Sequence, residues 1–260
     1  MTSASVRTSS EFEDKVVVVT GGGAGIGRAI ADAFAKSGAK IAVAGRNIET
    51  ARRAVAEIER DFGREALAVQ ADVSISQDCE DLIGAAIARF GGVDVLINNA
   101  AHFALVPALE AGHEDAARFL DANLRGPLLC SQALARWTIA NKRRSAVVNV
   151  SSISGARPAP GCALYSASKA ALNSLTRSMA LEWTGLGIRV NAVAPGHVDT
   201  EGVRRDFAAG RLDFEAMTQR IPAHRIADAS DVADAVLFLA SERSRHIAGA
   251  ILTIDGGESL

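Results

Sequence analysis

Along most of the chain, short apolar runs alternate with longer stretches whose apolar residues recur every three or four positions. The first run, 15–20, contains Val16, Val17, Val18 and Val19 in succession. A run so uniformly β-branched suits a strand buried on both faces. After a glycine cluster, Ile26, Ile30, Ala31, Phe34 and Ala35 mark a helix that stops at Gly38. The cycle then repeats. Strands are expected at 41–44, 66–71, 93–97, 146–150, 188–193 and 250–254. Helices are expected at 48–61, 76–90 (capped by Ser76), 114–140, 162–184 and 231–241. Seven strands separated by helices imply right-handed crossovers, hence an α/β fold with a doubly wound parallel sheet covered on both faces. Residues 1–13, rich in Ser and Thr, read as a flexible tail before a single domain at 14–260. The one long irregular stretch, 197–229, reads as a substrate loop or lid.

Composition narrows the function classes. Lys and Arg number 28 against 30 Asp and Glu, so no basic face for nucleic acid is expected. No apolar run approaches the roughly 18 residues of a membrane span. The three cysteines, Cys79, Cys130 and Cys162, are odd in number and far apart, which excludes a disulfide framework and fits a reducing, cytoplasmic setting. The five histidines lack ligand spacing, so no metal site is expected.

The candidate chemistry begins at the first glycine cluster. Gly21, Gly23, Ala24, Gly25, Ile26 and Gly27 follow a strand and open a helix. Glycines there let the backbone approach a pyrophosphate, and the helix N-terminus offers unpaired N–H groups and a positive dipole end. The expected ligand is therefore a dinucleotide on a Rossmann-type sheet. At the end of the second strand, Gly45, Arg46 and Asn47 occupy the turn where NAD-binding units place a carboxylate. Gly45 leaves room for a 2′-phosphate and Arg46 offers a planar donor fork, which favours NADP over NAD. Tyr165, the only tyrosine, stands one helical turn before Lys169. A cation that close favours the phenolate, suiting the pair to general acid–base work. Ser152 lies at a strand's C-terminal end, where open α/β sheets bind ligands.

These motifs occur in a specific order. The glycine spacing T-G-x-x-x-G-x-G is followed by Asp72 and Val73, then Asn98, Asn99, Ala100 and Ala101, then Asn123, Ser152, Tyr165 and Lys169. Pro195, Gly196, Val198 and Thr200 complete the set. Through them the chain resembles the short-chain dehydrogenase/reductase family, in its single-domain branch, over about residues 14–257. The resemblance implies that Tyr165 exchanges a proton with the substrate oxygen and that Ser152 bonds the same oxygen. It implies that Lys169 lowers the Tyr165 pKa and bonds the nicotinamide ribose, while Asn123 helps hold a relay water. It places Asp72, Val73, Asn99, Ala100, Pro195, Gly196, Val198 and Thr200 around the cofactor. One position departs: Ala101 stands where the family usually has glycine, adding a methyl near the cofactor. NADP-preferring members often carry a second basic residue where this chain has Ala24.

The expected activity is an NADP(H)-dependent oxidoreductase interconverting a ketone and a secondary alcohol. The alternatives within the family are an NAD-dependent alcohol or sugar dehydrogenase and a 3-oxoacyl thioester reductase. A catalytically silent dinucleotide-binding regulator would lack the tyrosine or lysine, and both are present. A nucleotide-sugar epimerase would carry a C-terminal substrate domain, and its glycine spacing differs. Val203, Phe207, Leu212, Phe214 and Met217 lend the 197–229 stretch an apolar character. Leu124, Leu128, Leu129, Leu134, Trp137, Leu172, Leu175 and Leu181 give two helices more apolar surface than one sheet face would use. In the family such helices pair across a twofold axis, so a homotetramer is expected, with a small molecule as the only other partner.

Overall fold

The four valines of the first run divide by the strand's twofold alternation. Val17 and Val19 pack on one side of the sheet, Val16 and Val18 on the other, and none is more than 4% exposed. Burial of that kind puts roughly 1.5–3 kcal/mol of transfer free energy behind each side chain. The computed structural model describes residues 11–208 and 213–260. It begins with β1 (Val16–Thr20), α1 (Gly25–Lys36), β2 (Lys40–Gly45), α2 (Ile48–Phe62), β3 (Ala66–Gln70) and α3 (Ser76–Phe90). The middle of the chain forms β4 (Val95–Asn98), α4 (His113–Leu120), α5 (Gly126–Ala140), β5 (Ser145–Val150) and α6 (Ala163–Trp183). Then come β6 (Ile188–Pro195), β7 (Val198–Asp199), α7 (Glu201–Ala208) and α8 (Phe214–Arg220). The last elements are β8 (Ala227–Asp228), α9 (Ala229–Ala240) and β9 (Ile251–Ile254).

Seven strands form one parallel sheet in the order β3-β2-β1-β4-β5-β6-β9. Helices α1, α2 and α9 cover one face, around Ile30, Phe34, Ile58 and Val236. Helices α3, α5 and α6 cover the other, around Leu82, Leu134 and Met179. The connection from β1 goes to one side and that from β4 to the other, so the C-terminal ends of these adjacent strands form a crevice. The expected doubly wound sheet is thus the observed one. No helix among the described residues is long and apolar enough to cross a membrane.

Several local expectations need correction. The 197–229 stretch is not irregular: it holds α7, α8 and a two-stranded sheet of β7 and β8. Gly210 and Leu212 lie outside the described residues, as do the side chains of Phe207 and Phe214 and residues 1–10 of the expected tail. Within that tail, Phe12 is buried, its ring edge-on to Phe34 at 4.8 Å. Ser76 is the first residue of α3; the cap position belongs to Ile75. Finally, Leu134 and Leu172 serve the chain's own core, and only Leu181 of the eight apolar residues on α5 and α6 and their flanks is exposed. The other five, Leu124, Leu128, Leu129, Trp137 and Leu175, are half-buried.

Candidate active site

The crevice is built from the first two strand ends outward. Thr20, the last residue of β1, accepts hydrogen bonds at Oγ1 from the backbone N–H groups of Asn99 (2.9 Å) and Ala100 (3.0 Å). Asn99 Nδ2 donates back to the Thr20 carbonyl at 2.9 Å and to that of Gly21 at 3.2 Å. The glycine loop is thereby pinned to the end of β4. Gly21 takes φ +65°, and a Cβ on Gly27 would collide with the Gly21 carbonyl and with Asn99. Helix α1 has no side-chain cap and no acidic residue in its first turn, and its cap position is the exposed Ala24. Its first N–H groups are left to a ligand, as anion binding requires.

From this loop a cleft of about 530 Å³ runs past Gly45, Arg46, Asp72, Asn99 and Ala100 to Asp121. A further hollow of about 330 Å³ lies between Gly23, Ala24, Arg46 and Thr50. Nothing would meet a Cβ at Gly45 within 4 Å, so the space beside Arg46 is open. Arg46 is exposed, its carbonyl held by Gln70 Nε2 at 3.2 Å. Asn47 lines the same hollow, and its Oδ1 caps α2 by accepting from the Glu49 and Thr50 N–H groups. The Asp72 carboxyl feels an upward push from burial, but hydrogen bonds from Ser74 and the charge of Arg46 outweigh it and hold the carboxyl below its ordinary range. Val73 accepts a bond from Cys79 Sγ at 3.4 Å. Ala101 is exposed and does not share the left-handed φ found at Asp14, Lys142 and His224, so its extra methyl imposes no backbone strain.

At the far side of the crevice the proposed proton-handling residues come together. Ser152 follows β5 and caps a short turn, accepting from Ser154 N–H at 3.1 Å. Tyr165 and Lys169 lie in the first two turns of α6. Burial raises the Tyr165 pKa above that of a free phenol, and the facing Ser152 hydroxyl works the other way. Lys169 is 3% exposed, and burial lowers it to about 8. Its Nζ donates to the Val150 carbonyl at 2.8 Å and stands 5.6 Å from the centre of the Tyr165 ring. Burial is the largest cause of both shifts, raising the phenol and lowering the lysine.

Asn123 sits in a single π turn, Asp121–Arg125, that breaks the expected 114–140 helix between α4 and α5. Its side chain is fully buried. Oδ1 accepts from His102 N–H at 2.7 Å, while Nδ2 donates to the His102 carbonyl and to Ser168 Oγ, both at 3.0 Å. Ser168 in turn donates to the Tyr165 carbonyl at 2.7 Å. Asn123 thus ties the segment after β4 to the turn that carries the tyrosine. Pro195 ends β6, and Gly196 approaches Glu258 so closely that a Cβ would meet its carboxylate at 2.6 Å. Val198 is buried in β7, and Thr200 stands beside Gly25 across the cleft mouth. Phe103 is a site residue without a sequence signal, a lone aromatic in a loop whose ring meets Tyr165 edge-on at 5.0 Å. Among the described residues no cluster of three or more His, Cys, Asp or Glu could hold a metal ion.

Comparison with known proteins follows this geometry. A family model described as enoyl-(acyl carrier protein) reductase matches residues 21–259. The chain is 36% identical to a sorbitol dehydrogenase of Cereibacter sphaeroides, over 95% of this chain and 98% of that one. It is also 36% identical to 3beta-hydroxysteroid dehydrogenase 1 of Eggerthella lenta, over 96% and 95% of the two chains. The crystal structure of a candidate short-chain alcohol dehydrogenase from Sinorhizobium meliloti 1021 superposes with a TM-score of 0.88 at 33% identity, covering 96% of this chain and 98% of that one. Likeness on this scale, spread end to end, is that of common descent: the chain belongs to the short-chain dehydrogenase/reductase family and is an oxidoreductase that uses a nicotinamide dinucleotide.

Proposed function

We propose that the protein interconverts a ketone and a secondary alcohol with NADP(H), using Tyr165 as general acid and base. The observation that carries this reading is the half-buried phenol facing Ser152 and one turn from a buried lysine, at the C-terminal end of β5 and next to β4, whose end lines the dinucleotide crevice. The free N–H groups of α1 fit a pyrophosphate, and the open space at Gly45 beside Arg46 fits a 2′-phosphate. When bound, the nicotinamide supplies or accepts the hydride at the substrate carbon.

The chain's residues handle the oxygen and its proton. In reduction the raised pKa keeps Tyr165 protonated at neutral pH, so it donates to the oxygen as negative charge develops there. Ser152 donates a hydrogen bond to the same oxygen and fixes its position. Lys169, whose pKa of about 8 leaves it mostly cationic at neutral pH, favours the phenolate that remains and bonds the nicotinamide ribose. Asn123 holds the tyrosine turn in register with the His102 segment and supports a relay water. Oxidation runs the same steps backwards. The named relatives point to a polyol and to a steroid alcohol, both compatible with this chemistry.

We assign the 197–229 stretch as the element that closes over substrate, and a homotetramer as the assembly, in a cytoplasmic setting. The exposed Leu181 and the outermost strand β9, whose Leu252 is exposed, are surfaces that a second copy would cover. The direct test is Tyr165→Phe, which keeps the ring and removes the proton. kcat falls by about 10²–10⁴-fold with cofactor affinity kept; retention of a tenth of the wild-type kcat would refute the role.

A further inference from the structure

Three large apolar side chains of the segment between β4 and α4 face outward: Phe103 at 58%, Leu105 at 67% and Leu109 at 101% exposure. Isolated exposed apolar residues need no explanation, but one of these, Phe103, meets the candidate proton donor. The Phe103 ring meets Tyr165 edge-on, with centroids 5.0 Å apart and planes at 86°. Leu105 packs over Gly161, where an added Cβ would lie 3.7 Å from its Cδ2. Val106 N–H donates to the Gly161 carbonyl at 2.8 Å, which joins this segment to the loop leading into Tyr165. Phe103, against the Tyr165 ring, and Leu105, over Gly161, therefore stand on one segment, tied at its base by the bonds of Asn123 to His102.

The exposed Phe103 and Leu105 side chains present only apolar contact. From this juxtaposition we infer that Phe103 selects the substrate and that the preferred carbonyl carries a bulky apolar group, aryl or alicyclic, which packs against the Phe103 ring. This inference rests on the ketone–alcohol reading and narrows its substrate class. A ring packed on Phe103 lies beside the Tyr165 ring, so a carbonyl attached to it is delivered to the side of the site that carries the proton donor.

The test compares acetophenone with acetone and a ketose as substrates for NADPH oxidation. The wild type has the highest kcat/KM for acetophenone. In Phe103→Ala the acetophenone-to-acetone ratio of kcat/KM falls by about 10–100-fold, and Phe103→Leu keeps an intermediate ratio. An equal loss for both ketones would show that the ring only positions Tyr165, and would overturn the inference. So would a wild type that prefers the ketose. Ligand-observed NMR of acetophenone on Tyr165→Phe gives a readout without turnover. Binding that Phe103→Ala abolishes, with no turnover of any ketone by the wild type, keeps the apolar rim and refutes the ketone–alcohol reading instead. Absence of both binding and turnover of acetophenone overturns the inference.

Discussion

Replacing Lys169 with methionine removes a charge that the fold buries at a cost. Lys169 is 3% exposed, and its pKa falls from 10.5 to about 8 because burial disfavours the ammonium. At ~1.36 kcal/mol per pH unit, that gap corresponds to about 3 kcal/mol of lost stability at neutral pH. Methionine has a similar length and no charge, but it leaves the Val150 carbonyl without the 2.8 Å bond, which returns about 1–3 kcal/mol of the gain. The net expectation is a variant that is inactive yet about 0–2 kcal/mol more stable than the wild type at about pH 7. The sign with pH is definite. A cation whose folded pKa is depressed destabilises fully below the folded value, and the penalty fades as pH rises toward the unfolded value. Integrating between those limits, the penalty shrinks by about 1 kcal/mol from about pH 7 to about pH 9. The advantage of Lys169→Met should shrink by the same amount. Tyr165 does not interfere, because its raised pKa leaves the phenol protonated in folded and unfolded chains over that window. Urea unfolding of the cofactor-free proteins at matched concentration measures the difference directly. A difference that stays constant from about pH 7 to about pH 9, or a variant less stable by more than ~2 kcal/mol, would refute the account of Lys169 as a desolvated cation.

Other outcomes follow from the same geometry. Arg46→Ala should raise KM for NADPH by about 10–150-fold and leave NADH nearly unchanged, since a charge-assisted phosphate contact contributes about 1.5–3 kcal/mol; a wild type that prefers NADH sinks this assignment. Gly27→Ala drives a Cβ into the Gly21 carbonyl and Asn99, so calorimetry should show a lowered Tm together with weakened cofactor binding. Alcohol oxidation needs the Tyr165 proton removed, and because burial raises that pKa, its kcat/KM should climb with pH through the alkaline range; a flat profile above about pH 8 would count against Tyr165 as the base. Leu181→Asp should shift the light-scattering mass toward smaller assemblies, and a monomeric wild type at micromolar concentration would dismiss the tetramer.

Period and glycine spacing alone made the layered architecture legible. Consecutive valines such as Val16 to Val19 have no polar face to present, so only a strand covered on both sides can bury them, and a glycine loop after such a strand has few uses besides phosphate. The catalytic candidates were equally readable, because Tyr165 and Lys169 are neighbours on any helix. What the sequence left open were relations between distant segments and their degree of burial. Whether Lys169 stabilises the phenolate depends on how far both groups are desolvated, and that is set by packing around α6. Cys79 and Cys130, 51 residues apart and read as unrelated, face each other as buried free thiols because α3 and α5 lie side by side. That Asn47 Oδ1 also caps α2 follows from where that helix starts. Phe103 carried no signal at all, since a lone loop aromatic acquires meaning only from what it touches. Local periodicity reports which face of an element is buried, whereas proton affinity and selectivity depend on neighbours that only the closed tertiary structure brings within a few ångströms.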